Sequence, residues 1–175
     1  IPMVLALNMM DEVEKNGGTI RVNELEAELG IPVVPISAAK NQGVDELVDH
    51  ALHVARFYEL PEQIDFCPSS EEEHNPLGAV HRCIHATAHL IEPYAEQAFV
   101  PLRFAATKMV EGDELIKEKL SLPESALSSI DELITSMEQD AGMDSEAALA
   151  NMRFSFLSDL CSKTVVRPHE SREHK

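Results

Sequence analysis

Positive charge is scarce in this sequence of 175 residues. Its 14 Lys and Arg stand against 31 Asp and Glu, a formal charge of −17 with neutral histidines. Phosphate backbones demand clustered cations, so nonspecific nucleic-acid binding is excluded as a role. The acid excess favours solubility and attraction of cations. Cysteine is sparse too. Cys67, Cys83 and Cys161 are odd in number, far apart and without CxxC spacing, which excludes a disulfide framework and reads as reduced cytosolic thiols. No run approaches eighteen uninterrupted apolar residues, so no segment of the sequence reads as a membrane span. No serine, histidine and acid share the strand-turn context that would anchor a hydrolase. An initiator methionine is also missing: Ile1-Pro2-Met3-Val4-Leu5-Ala6-Leu7 opens almost inside a strand, as an excised piece would.

What is present suffices for a core, since 44% of residues are hydrophobic. The length suits one sizeable domain or two small ones. Met3 to Leu7 is a nearly unbroken apolar run, the pattern of a parallel strand covered on both faces. Asp11 to Lys15 forms a helical turn closed by Asn16-Gly17-Gly18. Asn23 caps a helix over 24–29 that Gly30 stops. Val33 to Ile36 is a second strand, whose Pro35 suits an edge. After Gly43, apolar residues from Val44 to Ala55 recur at helical spacing through about Tyr58. The alternation is that of an α/β parallel-sheet unit.

The character changes after residue 60. Residues 61–75, with Pro61, Pro68 and Glu71-Glu72-Glu73, read as a linker. Residues 76–166 read as all-helical, with segments at 77–91, 101–118, 123–140 and 145–166, and 167–175 as a frayed tail. Pro101 and Pro123 suit first-turn positions, Pro93 ends or kinks its helix, and Gly112 and Gly142 mark a bend and a stop. Met109, Leu115, Ile116 and Leu120 line one buried face; Leu149, Met152, Phe156 and Leu160 line another. Phe66, Phe99, Phe104, Phe154 and Phe156 are expected in the core, and Cys161 is expected buried and inert. His81, His85 and His89 stack at i, i+4 and i+8 on one helical face. They are the candidate ligands for weak Fe²⁺ or Zn²⁺ binding, against the plainer reading of a half-exposed surface row.

Two short motifs carry the chemistry. Asn8-Met9-Met10-Asp11 and Ser37-Ala38-Ala39-Lys40 each follow a strand. Guanine offers adjacent N–H donors at N1 and N2, and one carboxylate accepts both as a charge-assisted pair. Asp11, beyond a strand's carboxyl end, is placed for this, since ligands of open α/β sheets bind there. Asn8 can tie the loop to its neighbours, and a backbone N–H near Ala38 can donate to guanine O6.

With the Gly17-Gly18-Thr19 turn and Leu29-Gly30-Ile31-Pro32-Val33, these motifs resemble the last third of the GTP-binding domain of the bacterial ferrous iron transport protein B (FeoB) family. Pro101-Leu102-Arg103-Phe104, Met109-Val110-Glu111-Gly112-Asp113 and Arg153-Phe154 resemble that family's cytosolic helical domain. The resemblance covers essentially the whole sequence. It implies an α/β fragment, two parallel strands and helices of a P-loop GTPase-like sheet over residues 1–60, followed by an all-α domain, predominantly helical overall. It also implies that Asp11 reads guanine, Asn8 braces the site, Met9 lends apolar contact where related GTPases carry Lys, and Ser37 and Ala38 cap the base.

The same resemblance implies GTP or GDP, with Mg²⁺, as ligands of the parent protein. Its implied partners are the N-terminal half of the GTPase domain and a membrane transport domain, at the cytoplasmic face of the bacterial inner membrane. Within this sequence, however, nothing matches G-x-x-x-x-G-K-[ST], which holds phosphates and Mg²⁺. Gly17-Gly18 lacks the following Gly-Lys-Ser/Thr, and neither an Asp-x-x-Gly segment nor a switch threonine is found. Phosphoryl transfer depends on such groups, so these residues alone are expected to be catalytically inactive. The first strand is expected to leave an edge open to strand swapping or oligomerisation. The alternative functional reading is a non-enzymatic helical interaction or coupling domain, and a histidine-based metal module is a third.

Overall fold

The computed structural model describes residues 1–61 and 76–167. The chain divides into two compact units. The described residues of the first run from Ile1 to Pro61 and from Leu157 to Arg167, those of the second from Pro76 to Phe156.

In the first unit, β1 (Leu5–Leu7) pairs in parallel with β3 (Val33–Pro35), in the register Leu5 to Val33, Ala6 to Val34 and Leu7 to Pro35. The two apolar runs are therefore neighbours, as expected. β1 is shorter than its apolar run and alternates, with Leu5 and Leu7 half-buried and Ala6 exposed. The expectation of cover on both faces fails for β1, because the face that carries Ala6 is exposed. Val33, Val34 and Ile36 are buried. Between the strands lie α1 (Met10–Lys15), β2 (Thr19–Ile20) and α2 (Val22–Leu29).

Helix α2 begins earlier than expected, and its cap is Arg21, not Asn23. The Arg21 side chain pairs with Glu24 at 3.2 Å, and Leu25 supplies the buried face. Gly30 closes the helix in the left-handed conformation, φ 58°. Glu26 Oε1 accepts the Val33 N–H at 2.8 Å, which ties the helix end to β3. A short 3₁₀ turn (Ala38–Lys40) and α3 (Val44–Phe57) follow.

The unit is completed from the far end of the sequence. Helix α8 (Ser145–Thr164) stops two residues before the expected limit, and β4 (Val165–Val166) pairs antiparallel with β2. Three consecutive β-branched residues, Thr164 to Val166, favour extended backbone over another helical turn. The Arg21 N–H donates to Thr164 O at 2.8 Å, and Lys163 pairs with Glu28 at 3.5 Å.

The second unit is helical, with α4 (Pro76–Gln97), α5 (Leu102–Val110), α6 (Glu114–Leu120), α7 (Glu124–Ala141) and the first turns of α8. Ala79, Val80, Cys83, Ile84, Ile91 and Ala95 recur on one face of α4 and are all buried, and the helix packs on α5 and α7. Pro93 does not end α4, which continues to Gln97. A proline removes one helical hydrogen bond, but Ile91 and Ala95 on either side are fully buried and hold the helix in register. The segment expected over 101–118 divides in two at Gly112, φ +78°. Asp113 then caps α6 by accepting the Ile116 N–H at 3.1 Å. Pro101 and Pro123 stand at N-cap positions, one place before the first turn.

Several burial expectations are overturned. Leu115 is 76% exposed, and Phe99, Phe104 and Phe154 are exposed. Leu115, Phe104 and Phe154 lie off the i, i+3, i+4 stripes of their helices, and Phe99 stands in the turn after α4 with φ 54°. Cys161 is exposed, whereas Cys83 is buried. Burial pushes the Cys83 thiol up to about 11, the state of an unreactive core cysteine. Phe66, Cys67, the acidic run 71–73, the rest of the linker after Pro61 and the tail after Arg167 lie outside the described residues.

Candidate functional site

The two motifs meet at the carboxyl ends of β1 and β3. Asn8, just past β1, uses a single atom to join them: its Oδ1 accepts the N–H of Met9 at 2.8 Å and the N–H of Ala38 at 3.1 Å. The Met10 N–H donates to Ile36 O at 3.1 Å, a second tie between the loops. Asn8 therefore ties the turn after β1 to the turn after β3. The Ala38 N–H already has an acceptor in Asn8, and its bond is the longer of the two.

Met9 caps α1 with φ 65° and is 61% exposed. A left-handed conformation is uncommon for a bulky residue, and such outliers gather at ligand sites. Here it leaves the side chain exposed instead of buried.

Ser37 is buried, and its hydroxyl has no well-formed hydrogen bond. Its backbone forms a two-bond bridge with Gln42: the Ser37 N–H donates to Gln42 O and the Gln42 N–H to Ser37 O, each at 3.0 Å. The loop 37–42 is therefore pinned at its base. Gly43 closes it, with φ +70° and Pro35 O only 2.4 Å from where a Cβ would stand. Only glycine meets both demands.

The sequence pattern assigns no role to Lys40. Its Nζ lies 2.9 Å from Asp11 Oδ2, and Asp11 is 14% exposed against 57% for Lys40. The hydrogen bond from Lys40, with a smaller contribution from the Ser37 hydroxyl, holds the Asp11 carboxyl below its ordinary value. Lys40 is legible as the fourth residue of its motif. Its partner is not, because the pair joins loops 29 positions apart in sequence.

The histidine row does not assemble a metal site. His81 and His85 rings lie 6.0 Å apart and stacked, His85 and His89 4.7 Å apart and edge to face. Among the described residues no group of three or more His, Cys, Asp or Glu could hold a metal ion. The reason is axial: residues at i and i+8 are separated by about 12 Å of helix rise, so one ion cannot reach both ends. The expected Fe²⁺ or Zn²⁺ ligation by His81, His85 and His89 has no support in this arrangement.

A further charged cluster lies in the second unit. Glu111 accepts from Lys108 at 2.7 Å and pairs with Arg153, beside an open depression of about 320 Å³ lined by Glu111, Asp113, Glu146 and Arg153. Burial would raise the Glu111 carboxyl, but its two cations outweigh that and hold it below the ordinary range. This is an internally paired network, and it lies in a different unit from the loop site.

Residues 1–51 match the family model for ferrous iron transport protein B, and residues 78–166 match that for the FeoB cytosolic helical domain. The chain belongs to the FeoB family. A FeoA/FeoB fusion protein of Porphyromonas gingivalis is 32% identical over 94% of this chain, which spans 19% of that relative. The Fe(2+) transporter FeoB of Legionella pneumophila strain Paris is 27% identical over 99% of the chain and 20% of its own length. The chain thus spans about a fifth of the curated relatives. Among solved structures, a GDP-bound point mutant of the S. thermophilus FeoB G-domain superposes with TM-score 0.76 at 27% identity, over 94% of this chain and 59% of that one. A point mutant of S. thermophilus NFeoB bound to GDP gives 0.74 at 28% identity over the same shares. Among the described residues no helix is long and apolar enough to cross a membrane.

Proposed function

We propose that this FeoB chain carries the base-reading part of a guanine-nucleotide-binding regulatory region, joined to the helical domain that relays nucleotide state to a ferrous iron transport domain in the membrane. The observation that carries the reading is the Asn8 clamp. One side-chain oxygen holds the backbones of Met9 and Ala38, so the acceptor Asp11 and the loop at Ser37 and Ala38 are presented together. Asp11 accepts guanine N1–H and N2–H, and Met9 and the loop at Ser37 and Ala38 lie against the base. The phosphates and Mg²⁺ fall to parts of the GTPase domain with P-loop chemistry, which no motif of these 175 residues supplies. Those parts are the partners proposed for the open side of β1. Nucleotide binding biases transport only as far as it distinguishes the two states of the relay.

The test is titration with GDP followed through the amide signals of Asn8, Ala38 and Ala39, with ADP as the control. Adenine lacks the N1–H that Asp11 reads. GDP should bind and ADP should not, and Asp11→Ala should weaken GDP by roughly ten- to a hundredfold, the worth of hydrogen bonds to a charged group. Equal binding of GDP by Asp11→Ala would overturn the assignment. A purely helical interaction role is the second reading, favoured by the exposed Phe99, Phe104 and Phe154 of the helical unit. It gains if neither nucleotide binds.

A further inference from the structure

We infer that Lys40 is an affinity-setting residue of the base site: its ammonium competes with guanine for the Asp11 carboxylate and must be displaced for the base to bind. This inference rests on the guanine reading of Asp11 and adds a regulator to it.

Three observations on the loops carry it. First, the ion pair is close, with Nζ to Oδ2 at 2.9 Å, and it leaves Asp11 far less exposed than Lys40. The carboxylate is the covered partner and the lysine is the cover. Second, the position of Lys40 is fixed by backbone. The loop is closed by the Ser37–Gln42 bridge, the Lys40 N–H donates to Ser37 O at 3.1 Å, and Ala38 is held to Asn8. The stem therefore starts from an anchored point instead of sampling many directions, which lowers the entropy lost in making the pair. Third, Ser37 Oγ is buried beside this carboxylate without a well-formed bond of its own. The Asp11 side chain is thus the focus of a cation and a hydroxyl, and both bias it towards the ionised, accepting form.

The two effects of Lys40 oppose each other. It keeps Asp11 ionised, which guanine recognition requires, and it occupies an oxygen that guanine needs. At neutral pH an aspartate is ionised without help, so only the occupation changes affinity. A bidentate acceptor must offer both oxygens, and an incoming base has to exchange a cation for two neutral donors. Lys40 itself is more than half exposed, so solvent screens the pair and keeps the barrier modest. The outcome is a site that discriminates guanine yet releases it readily.

The experiment compares the unmodified chain with Lys40→Met, which keeps the apolar stem and removes the charge. The first readout needs no nucleotide: ¹³C-detected titration of the Asp11 carboxyl. In Lys40→Met it should rise towards the ordinary aspartate value. Identical titrations in the two proteins would overturn the inference whatever GDP does. The second readout is GDP affinity at low and high salt. Lys40→Met should bind about two- to fivefold tighter, the range expected of an exposed ion pair, and the gain should shrink as salt weakens the pair in the unmodified chain. Weaker or equal binding by Lys40→Met would show Lys40 to be a base contact or a bystander and would overturn the inference while leaving the guanine reading intact. Absence of GDP binding in both proteins, with a shifted Asp11 titration, would overturn the guanine reading and the inference that rests on it.

Discussion

The two units solve the problem of burial differently. The helical unit has a continuous aliphatic core that runs from Ala79 and Val80 through Ile84, Ile91, Met109 and Ile130 to Leu149 and Met152. The α/β unit buries far less: Leu25, Val33, Val34, Ile36 and Val54 from its N-terminal part, with Leu160 from the returning helix. Its α3 leaves Val48 and Leu52 exposed, and β1 has a strand on one side only among the described residues. The α/β unit instead relies on directional ties, namely the Asn8 clamp, the Glu26 bond to β3 and the Gly43 turn. Hydrophobic burial is tolerant of small shifts, whereas such ties fail singly. The region that packs well is therefore expected to set stability, and the region that packs thinly to set chemistry.

The comparison can be broken most sharply in the helical core. Ile84 is fully buried on α4. Ile84→Ala should destabilise the helical unit by about 2–5 kcal/mol, the usual cost of deleting that much buried side chain. The drop should appear as a lower urea midpoint by circular dichroism, which the helices dominate. An unchanged midpoint would mean that this core does not govern unfolding. The α/β counterpart is Gly43→Ala. Here the added methyl meets Pro35 O at 2.4 Å and the backbone keeps φ +70°, so about 1–3 kcal/mol of strain is expected. Amide exchange should accelerate at Leu5, Ile36 and Ser37, with protection in α4 and α7 unchanged. Equal loss of protection in both units would abolish the distinction.

These differences mark what is legible in the sequence. Among the described residues helical periodicity finds every long helix, because a buried stripe leaves a 3.6-residue signature that tertiary packing then uses. The two strands and their adjacency are legible from apolar runs and the motifs that follow them. The pairing of β2 with β4 is not, since two residues on each side carry no periodicity and the partners are separated by most of the chain. Pro93 misleads as a helix end because its local cost is outweighed by Ile91 and Ala95, whose burial is a tertiary fact. The exposed Phe104 and Phe154 mislead because residue type alone does not fix which side of a helix faces the core, and Phe99 because it falls in the turn after α4. At the site, Asn8, Asp11 and Ser37 are picked out by residue type and by their place just after a strand. The charge on Lys40 announces nothing until the loops are brought together.

The smallest effect is also the one that compares the units most directly, because each contains a carboxylate held below its ordinary value by cations. Glu111 sits between Lys108 and Arg153 in the helical unit, and Asp11 sits under Lys40 in the α/β unit. A group whose folded value is depressed binds its proton more readily when unfolded. Its contribution to stability is therefore complete above the ordinary value and is lost as pH falls through the folded one. For Glu111 the loss should begin below its ordinary value of 4.5, and for Asp11 below 3.8. On acidification the helical unit should thus begin to lose this contribution first, despite its better core. Urea midpoints measured at descending pH should fall from that point in the unmodified chain, and Glu111→Gln, which cannot titrate, should flatten the first part of the fall. An identical acid slope in Glu111→Gln would show that the ionic network beside Arg153 is held for geometry and not for stability.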